Sequence, residues 1–471
     1  MNGSRFALGL FLLFIACARA TPSLVPIAVA GPTHEYRNGL WYDDGKFVRR
    51  TFYSVNGVLR DERPSRVDSV IDLADGYVIP PFGDAHTHNL DGARNIDAVI
   101  KAYLDEGTFY VQVLTNSRSG AEAVRSRFNK PCALDVQYAN GGVTGTLSHP
   151  FLAYEPRAMG LFDFSQWRPR SQEIWKSRRA ERQAYWFIDD SAQLAVEWPR
   201  ILEGKPDLIK IFLLHASESA APPPDTGLQS GHGLKPSLVP LIVRRAHDAG
   251  LRVGAHVETA ADFALAVKAG VDLFAHAPGY EMPPGDSVAP YEISEEAASE
   301  AGARGVVVLP TASLAALVMN RPDSADVVRV RRDLMRRNLA TLMKHNVRIA
   351  IGSDWYGQTA RREYDALQAL GLWDARGLLD LWASMTPQTM YPRRAIGRLA
   401  QDYEAFSGFA LGSRNDAYHG VGHQAASQTG VRHSVGRDSL VGRQLWNPTG
   451  VSRDHPNPAV SGPLRVRSSS V

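Results

Sequence analysis

The sequence predicts an α/β protein: a (β/α)8 barrel of the TIM type with a small β-sandwich domain in front of it. One observation is the recurrence of short apolar runs, each followed by a segment of helical periodicity. The runs are Gly76 to Ile79, Thr108 to Leu114, Leu134 to Tyr138, Leu208 to Leu214, Leu251 to Ala255, Val271 to Ala275, Gly305 to Leu309 and Val347 to Ile351. Near-continuous apolar strands alternating with helices belong to parallel sheets buried on both faces. The second observation is their number, eight, which suggests a closed barrel. The third is bulk composition: 471 residues at 44% hydrophobic and 21% charged supply one large barrel plus an appendage.

Residues 1–20 are read as a signal peptide. Arg5 gives a positive start, Ala7 to Ala16 is a short apolar run, and Ala18-Arg19-Ala20 fits a small-x-small cleavage site. The run is too short to span a bilayer. The expected location is therefore periplasmic or secreted, without a membrane span. Ile15-Ala16-Cys17 offers a second reading, a lipid anchor at Cys17. Cys132 is the one other cysteine, so cleavage at Ala20 leaves no intrachain disulfide.

Residues 21–79 read as the N-terminal strands of the small β domain, with Asn56-Gly57 as hairpin chemistry between Phe47 to Tyr53 and Val67 to Asp72. Residues 80–392 hold the barrel. Ile96 to Leu104, Val239 to Ala249, Ala260 to Ala269 and Val327 to His345 carry helical spacing, and Phe151 to Glu203 reads as an inserted helical loop over one end. Residues 393–404 look like the start of a C-terminal β segment. From 405 to 471 the composition turns to Gly, Ser, Arg, His, Asn and Pro with no lysine and no sustained hydrophobic period. Such a tail cannot bury enough apolar surface to offset ordering entropy. Disorder, a frameshifted reading and an incomplete sandwich are the expectations there. The net charge of +3 and the lack of a basic stripe with aromatics exclude nucleic acid as a partner. A small-molecule substrate is expected, and a homo-oligomer is compatible with the sequence.

Barrel enzymes place their chemistry at the C-terminal ends of the strands. There the sequence sets His86-Thr87-His88, Lys210, His256, His276 and Asp354. His86 and His88, two apart on a strand, share a face. A single strand-end histidine is more often a satisfied core residue, and Asp354 alone would serve as a helix cap. Lys210 inside an apolar strand is costly unless paired. A neutral buried amine there can take up carbon dioxide and become a carbamate able to bridge two cations. Jointly, these residues point to a metal site.

HTH after a strand, LIKIF, GAHVE, FAHAPG and IGSDW resemble the motifs of the metal-dependent amidohydrolase superfamily, from about residue 50 to 400. The resemblance implies a binuclear centre, usually zinc. His86, His88 and Asp354 would bind the first ion and His256 and His276 the second. Lys210, carboxylated, would bridge them, and a bridging hydroxide would be the nucleophile. Asp354 would be the catalytic acid and base in hydrolysis of an amide, cyclic amide or peptide-like C–N bond. A mononuclear zinc deaminase of the same superfamily is the nearest alternative. It lacks the strand lysine and carries glutamate three residues after the strand-five histidine, whereas here Glu258 stands two after His256. A non-catalytic exported barrel protein is the alternative from another class. Tyr138, His149 and Trp355 are candidates for substrate contact. Asn140, His215 and Tyr356 flank the same strand ends, and Arg157, Arg168 and Arg170 could meet an acidic substrate end or form a solvated face.

Overall fold

A computed structural model describes residues 32–392, apart from 44, 56–57, 131–132, 217–231, 319–320 and 323, together with 410–412 and 419–420. The leader, Cys17, Cys132, residues 393–404 and the remainder of the tail lie outside the described residues.

The first sheet is mixed. It contains β1 (His34–Asp43), β2 (Lys46–Val55), β3 (Val58–Arg60), β4 (Ser69–Asp72) and β5 (Tyr77–Ile79). β1 pairs antiparallel with β2, and along its other edge parallel with β4 and then β5, across a register shift between Tyr36 and Gly39. Trp41 and Phe52 face each other across β1 and β2, with ring centroids 4.6 Å apart in a buried cluster with Tyr36, Leu59, Leu73 and Val78. Cross-strand aromatic pairs of this kind stabilise a sheet beyond their burial.

Three expectations need correction here. The hairpin across residues 56–57 pairs β2 with β3, Val55 opposite Val58, whereas Val67 to Asp72 feeds β4 onto β1 instead. The tail is not uniformly without structure: Ala410–Gly412 pairs antiparallel with β5, and His419–Gly420 pairs with that segment in turn. Finally, among the described residues the small domain shows one mixed sheet and no second sheet facing it.

Pro80-Pro81 ends β5, and the strand that carries the histidines begins after it. β6 (Phe82–Thr87) is buried at every position. It pairs parallel with β7 (Thr108–Val113), which pairs with β8 (Asp135–Tyr138). The further parallel strands are β9 (Gly142–Thr144), β10 (Tyr185–Phe187), β11 (Ile209–Phe212), β12 (Val253–His256), β13 (Leu273–Phe274) and β14 (Val307–Val308). β15 (Leu317–Val318) and β16 (Arg321–Pro322) form a separate ribbon, and β17 (Arg348–Ile349) completes the set. Their order is β10-β9-β11-β12-β13-β14-β17, all parallel. Each of the eight apolar runs contains a strand, although the first, Gly76 to Ile79, supplies the small sheet and leaves β6 to carry the histidines. Hydrogen bonds cross between the two parallel sheets at two places. Ala85 N donates to Ile351 O at 2.8 Å, and Asp207 N donates to Tyr138 O at 2.8 Å.

Helices cover the outer faces. α1 (Ile96–Glu106) ends on Gly107, whose φ of 87° closes the helix and turns the chain straight into β7. α2 (Arg118–Val124) follows β7. α6 (Val239–Asp248), α7 (Ala260–Ala269), α8 (Glu295–Ala303) and α9 (Ala325–Lys344) pack along β12 to β17. Thr259 and Asp262 form a capping box at α7. No helix among the described residues is long and apolar enough to cross a membrane.

The stretch after β9 proves to be more than a loop. α3 (Phe151–Ala158), α4 (Ser171–Lys176), β10 and α5 (Ser191–Glu203) occupy it, and Phe151, Tyr154, Leu161, Trp167, Ile174 and Tyr185 form its own apolar core. The Glu155 carboxylate, fully buried, ties this unit together. It accepts from Arg179 N at 2.6 Å, Ala180 N at 3.0 Å, Tyr185 Oη at 2.5 Å and the Ser177 hydroxyl. Removing a buried acceptor strands its donors at roughly 1–3 kcal/mol each. Glu155→Ala is therefore expected to lower the unfolding free energy by about 3 kcal/mol and to open residues 160–190 to protease first. Thermal denaturation with limited proteolysis checks this; an unchanged midpoint and cleavage pattern would refute it.

Candidate metal centre

The parallel strands all deliver their C-terminal ends to one side, and the side chains at those ends converge. His86 is in β6, His88 follows it, His256 ends β12, His276 follows β13, and Asp354 follows β17. His86 Nε2 lies 3.2 Å and His88 Nε2 2.9 Å from the same oxygen of Asp354, with His276 Nδ1 3.8 Å from the other. His86, His276 and Asp354 offer ligand atoms all within 4.8 Å of one another. The His256 ring lies 4.5 Å from that of His276 and 4.8 Å from that of His149. The resemblance pairs His276 with His256, 4.5 Å away ring to ring; the structure also brings His276 within 5.2 Å of the His86 ring and 3.8 Å of Asp354.

The tautomers of three imidazoles follow from their partners. His86 Nδ1 meets Ala275 O at 3.1 Å and His88 Nδ1 meets Thr115 O at 2.9 Å. A carbonyl only accepts, so both Nδ1 atoms carry hydrogen. His276 Nδ1 meets Thr311 Oγ1 at 2.8 Å, and that hydroxyl already donates to Pro310 O at 2.7 Å. It therefore accepts from His276. Each of the three rings is left with its Nε2 lone pair, as metal-ligating histidines are when their other nitrogen is held by the protein.

Burial pushes His86 and His276 well below the usual imidazole range, which keeps them neutral. Burial raises the Asp354 carboxyl, and His86, His88 and Lys210, while they carry charge, oppose that shift and take it to about 2. Lys210 is buried to 2% exposure, and desolvation, opposed by Asp354, pulls its amine down to about 7. Lys210 Nζ and His256 Nε2 are both buried without a hydrogen-bond partner. Buried polar atoms in that condition are rare and costly. The His256 ring lies between those of His149 and His276, with its Nε2 3.6 Å from Glu258, and Lys210 is buried on the neighbouring strand, so the set fits metal ions.

Backbone geometry reinforces the convergence. Asp354 has φ 48° and Thr311 φ 51°, left-handed values that non-glycine residues seldom adopt. At Gly352 a Cβ would stand 2.6 Å from His86 Cβ, so only glycine lets this strand end pass His86. The buried Asp84 carboxylate accepts from Ser353 N at 2.9 Å and Ser353 Oγ at 2.7 Å, locking β6 to the residue before Asp354.

The other candidates divide. His149 packs against His256 and Phe212 and lies at the site; burial drives it down to about 3. Tyr138 does not reach the site. It points to the outer side of its strand, fully buried with Val111, Val124 and Ile96, and its hydroxyl donates to Leu90 O at 2.9 Å. Trp355 packs against the core with Arg362 over its ring at 4.4 Å. Asn140 is bound to Asn116 and to Gly204 O, a structural role. Glu258, considered above only as a mark of deaminases, lies 3.6 Å from His256 Nε2 and 3.5 Å from His215 Nε2. Three neighbours went unread in the sequence: Thr311, Tyr280, whose ring stacks 4.0 Å from His276, and Tyr154, whose hydroxyl donates to Thr115 O at 2.7 Å.

Among solved structures the chain is similar to an amidohydrolase, at 18% identity and TM-score 0.58, covering 80% of this chain and 92% of that one. It is similar to a Xaa-Pro dipeptidase with methionine bound in its active site, at 17% and 0.58, covering 80% and 93%. It is also similar to A. niger ochratoxinase, at 14% and 0.57, covering 81% and 89%. No protein-family model matches the chain, and no curated protein matches it in sequence. The chain shares the fold of these solved structures.

Losing the partner of a ligating imidazole typically costs 10–100-fold in metal affinity. Thr311→Val, which frees His276 Nδ1, is expected to weaken zinc binding by roughly tenfold or more. Competition against a chelating dye measures it, and unaltered affinity would remove His276 from the ligand set.

Proposed function

We propose that this chain is a metal-dependent hydrolase acting on an amide, cyclic amide or peptide-like C–N bond. One observation carries the reading: three imidazoles whose Nδ1 atoms are committed to protein acceptors, beside two buried groups without a hydrogen-bond partner, Lys210 Nζ and His256 Nε2, the latter 3.6 Å from Glu258. We read the two parallel sheets as one eight-unit barrel. The hydrogen bonds Ala85 N to Ile351 O and Asp207 N to Tyr138 O support this, as does the likeness to solved amidohydrolases.

His86, His88 and Asp354 would hold one divalent ion, His256 and His276 a second, and Lys210 as a carbamate would join them. Zinc suits neutral imidazoles with carboxylate oxygens. Such ions, when bound, acidify water and polarise a carbonyl. The chain's own groups do the rest. Asp354, held as a carboxylate between His86 and His88, accepts the proton of the attacking water and returns it to the leaving nitrogen. His149, kept neutral by burial, orients the substrate carbonyl from beside His256. Export to the periplasm or the exterior belongs to the same proposal and rests on the composition of residues 1–20 alone.

Asp354→Asn retains an oxygen ligand but no base. The expected outcome is a kcat lower by about 10²–10⁴-fold, with zinc content measured alongside to separate lost chemistry from lost metal. Wild-type turnover by the variant would end the assignment. Elemental analysis of the mature protein should find about two zinc ions per chain; about one would favour the mononuclear deaminase.

A further inference from the structure

We infer that Arg157 selects substrates by an anionic group, a carboxylate or similar oxyanion, lying on the His88 side of the scissile bond. The inference rests on the function proposed above and names a class of substrate for that site.

Tyr154 and Arg157 are three residues apart on α3, so both side chains project from one face of the helix. Tyr154 anchors that face. Its hydroxyl donates to Thr115 O and stands 3.4 Å from His88 Nδ1. Glu155, between them, is locked into the core of the insertion. Arg157 is thereby set with its guanidinium carbon 4.0 Å above the ring of Tyr356. The Tyr356 ring in turn stacks on His88, 5.4 Å between centroids and 25° between planes. A candidate metal ligand, an aromatic ring and a fixed cation thus form one continuous stack. Tyr356 is 42% exposed, so the stack opens to solvent at the mouth of the site.

Arg157 is engaged by Tyr356, through its ring and its side-chain hydroxyl, and not by an ion pair. Among the described residues no carboxylate stands within ion-pair distance of it, whereas Arg170 and Arg178 of the same insertion pair with Glu173 and Glu181. Asp91 senses both His88 and Arg157 but lies outside that distance. A guanidinium never loses its charge in proteins. Stacked over a ring, it keeps edge N–H donors for a bidentate grip on an oxyanion. Specificity then appears as a difference between two affinities.

The probes are hippurate (N-benzoylglycine) and its uncharged primary amide, titrated calorimetrically into metal-loaded full-length protein at one ionic strength. Where either is hydrolysed, kcat/KM takes the place of the dissociation constant. The wild type should favour hippurate at least tenfold. Arg157→Gln should bring the ratio to within about twofold, and Arg157→Lys, which keeps charge but not the fork, should fall between. A wild-type ratio retained by Arg157→Gln would overturn the inference and place the carboxylate elsewhere. So would a wild type without preference. Binding is read without turnover, so failure of both compounds to be hydrolysed counts against the proposed function, while the ratio still decides the role of Arg157.

Discussion

The junction between the first and last strands is the constraint on which the site depends. Ala85 N to Ile351 O, Asp354 N to His86 O at 2.7 Å, and the grip of Asp84 on Ser353 bind the two ends together. Gly352 supplies the clearance that lets them touch. Without that junction Asp354 would not meet His86 and His88, whose codons are separated from its own by most of the chain. Asp84 is itself a costly component. Burial raises its carboxyl to about 6 even though four donors, two of them from Ser353, pull the other way. The fold accepts a buried carboxylate there because it sets the register of His86 against Asp354.

Around that junction the chemistry is arranged in shells with different suppliers. The candidate ligand atoms come from strand ends, where backbone hydrogen bonds on both sides limit motion. Their orientation comes from carbonyls and hydroxyls of neighbouring strands, as with Ala275, Thr115 and Thr311. The mouth comes from the insertion between β9 and β11, which has its own core and its own buried acid. A rigid floor with a separately folded rim allows the rim to vary while the strand-end side chains stay in place.

The small sheet shows how a local expectation can be right in kind and wrong in partner. Asn56-Gly57 marked a turn, and a turn joins β2 to β3 there. Turn chemistry is local and readable, but the choice of partner for Val67 to Asp72 is made by β1, whose bulge at Tyr36 to Gly39 leaves room for β4 and β5 along one edge. The tail segment at 410–412 follows the same logic. β5 presents an unpaired edge, and backbone hydrogen bonding there does not require the apolar periodicity on which the expectation of disorder rested.

The strand-end residues were legible because their signal is covalent and short-range. An apolar run followed by His, Lys or Asp marks both a buried strand and a polar group at its end, and Lys210 in Ile209-Lys210-Ile211 could not be accommodated otherwise without cost. Tyr138 was misjudged because one residue of register decides which face of a strand a side chain takes, and composition does not reveal it. Tyr154, Thr311, Tyr280 and the placement of Arg157 were beyond reading, since each owes its position to contacts far along the chain. What the sequence determined by itself was which polar residues stand at the strand ends and the α/β class of the fold, through local periodicity. What only the tertiary structure decided was which nitrogen of each histidine is free, which groups are left without partners, and which arginine stands at the mouth. Those depend on distances between segments that are remote in sequence.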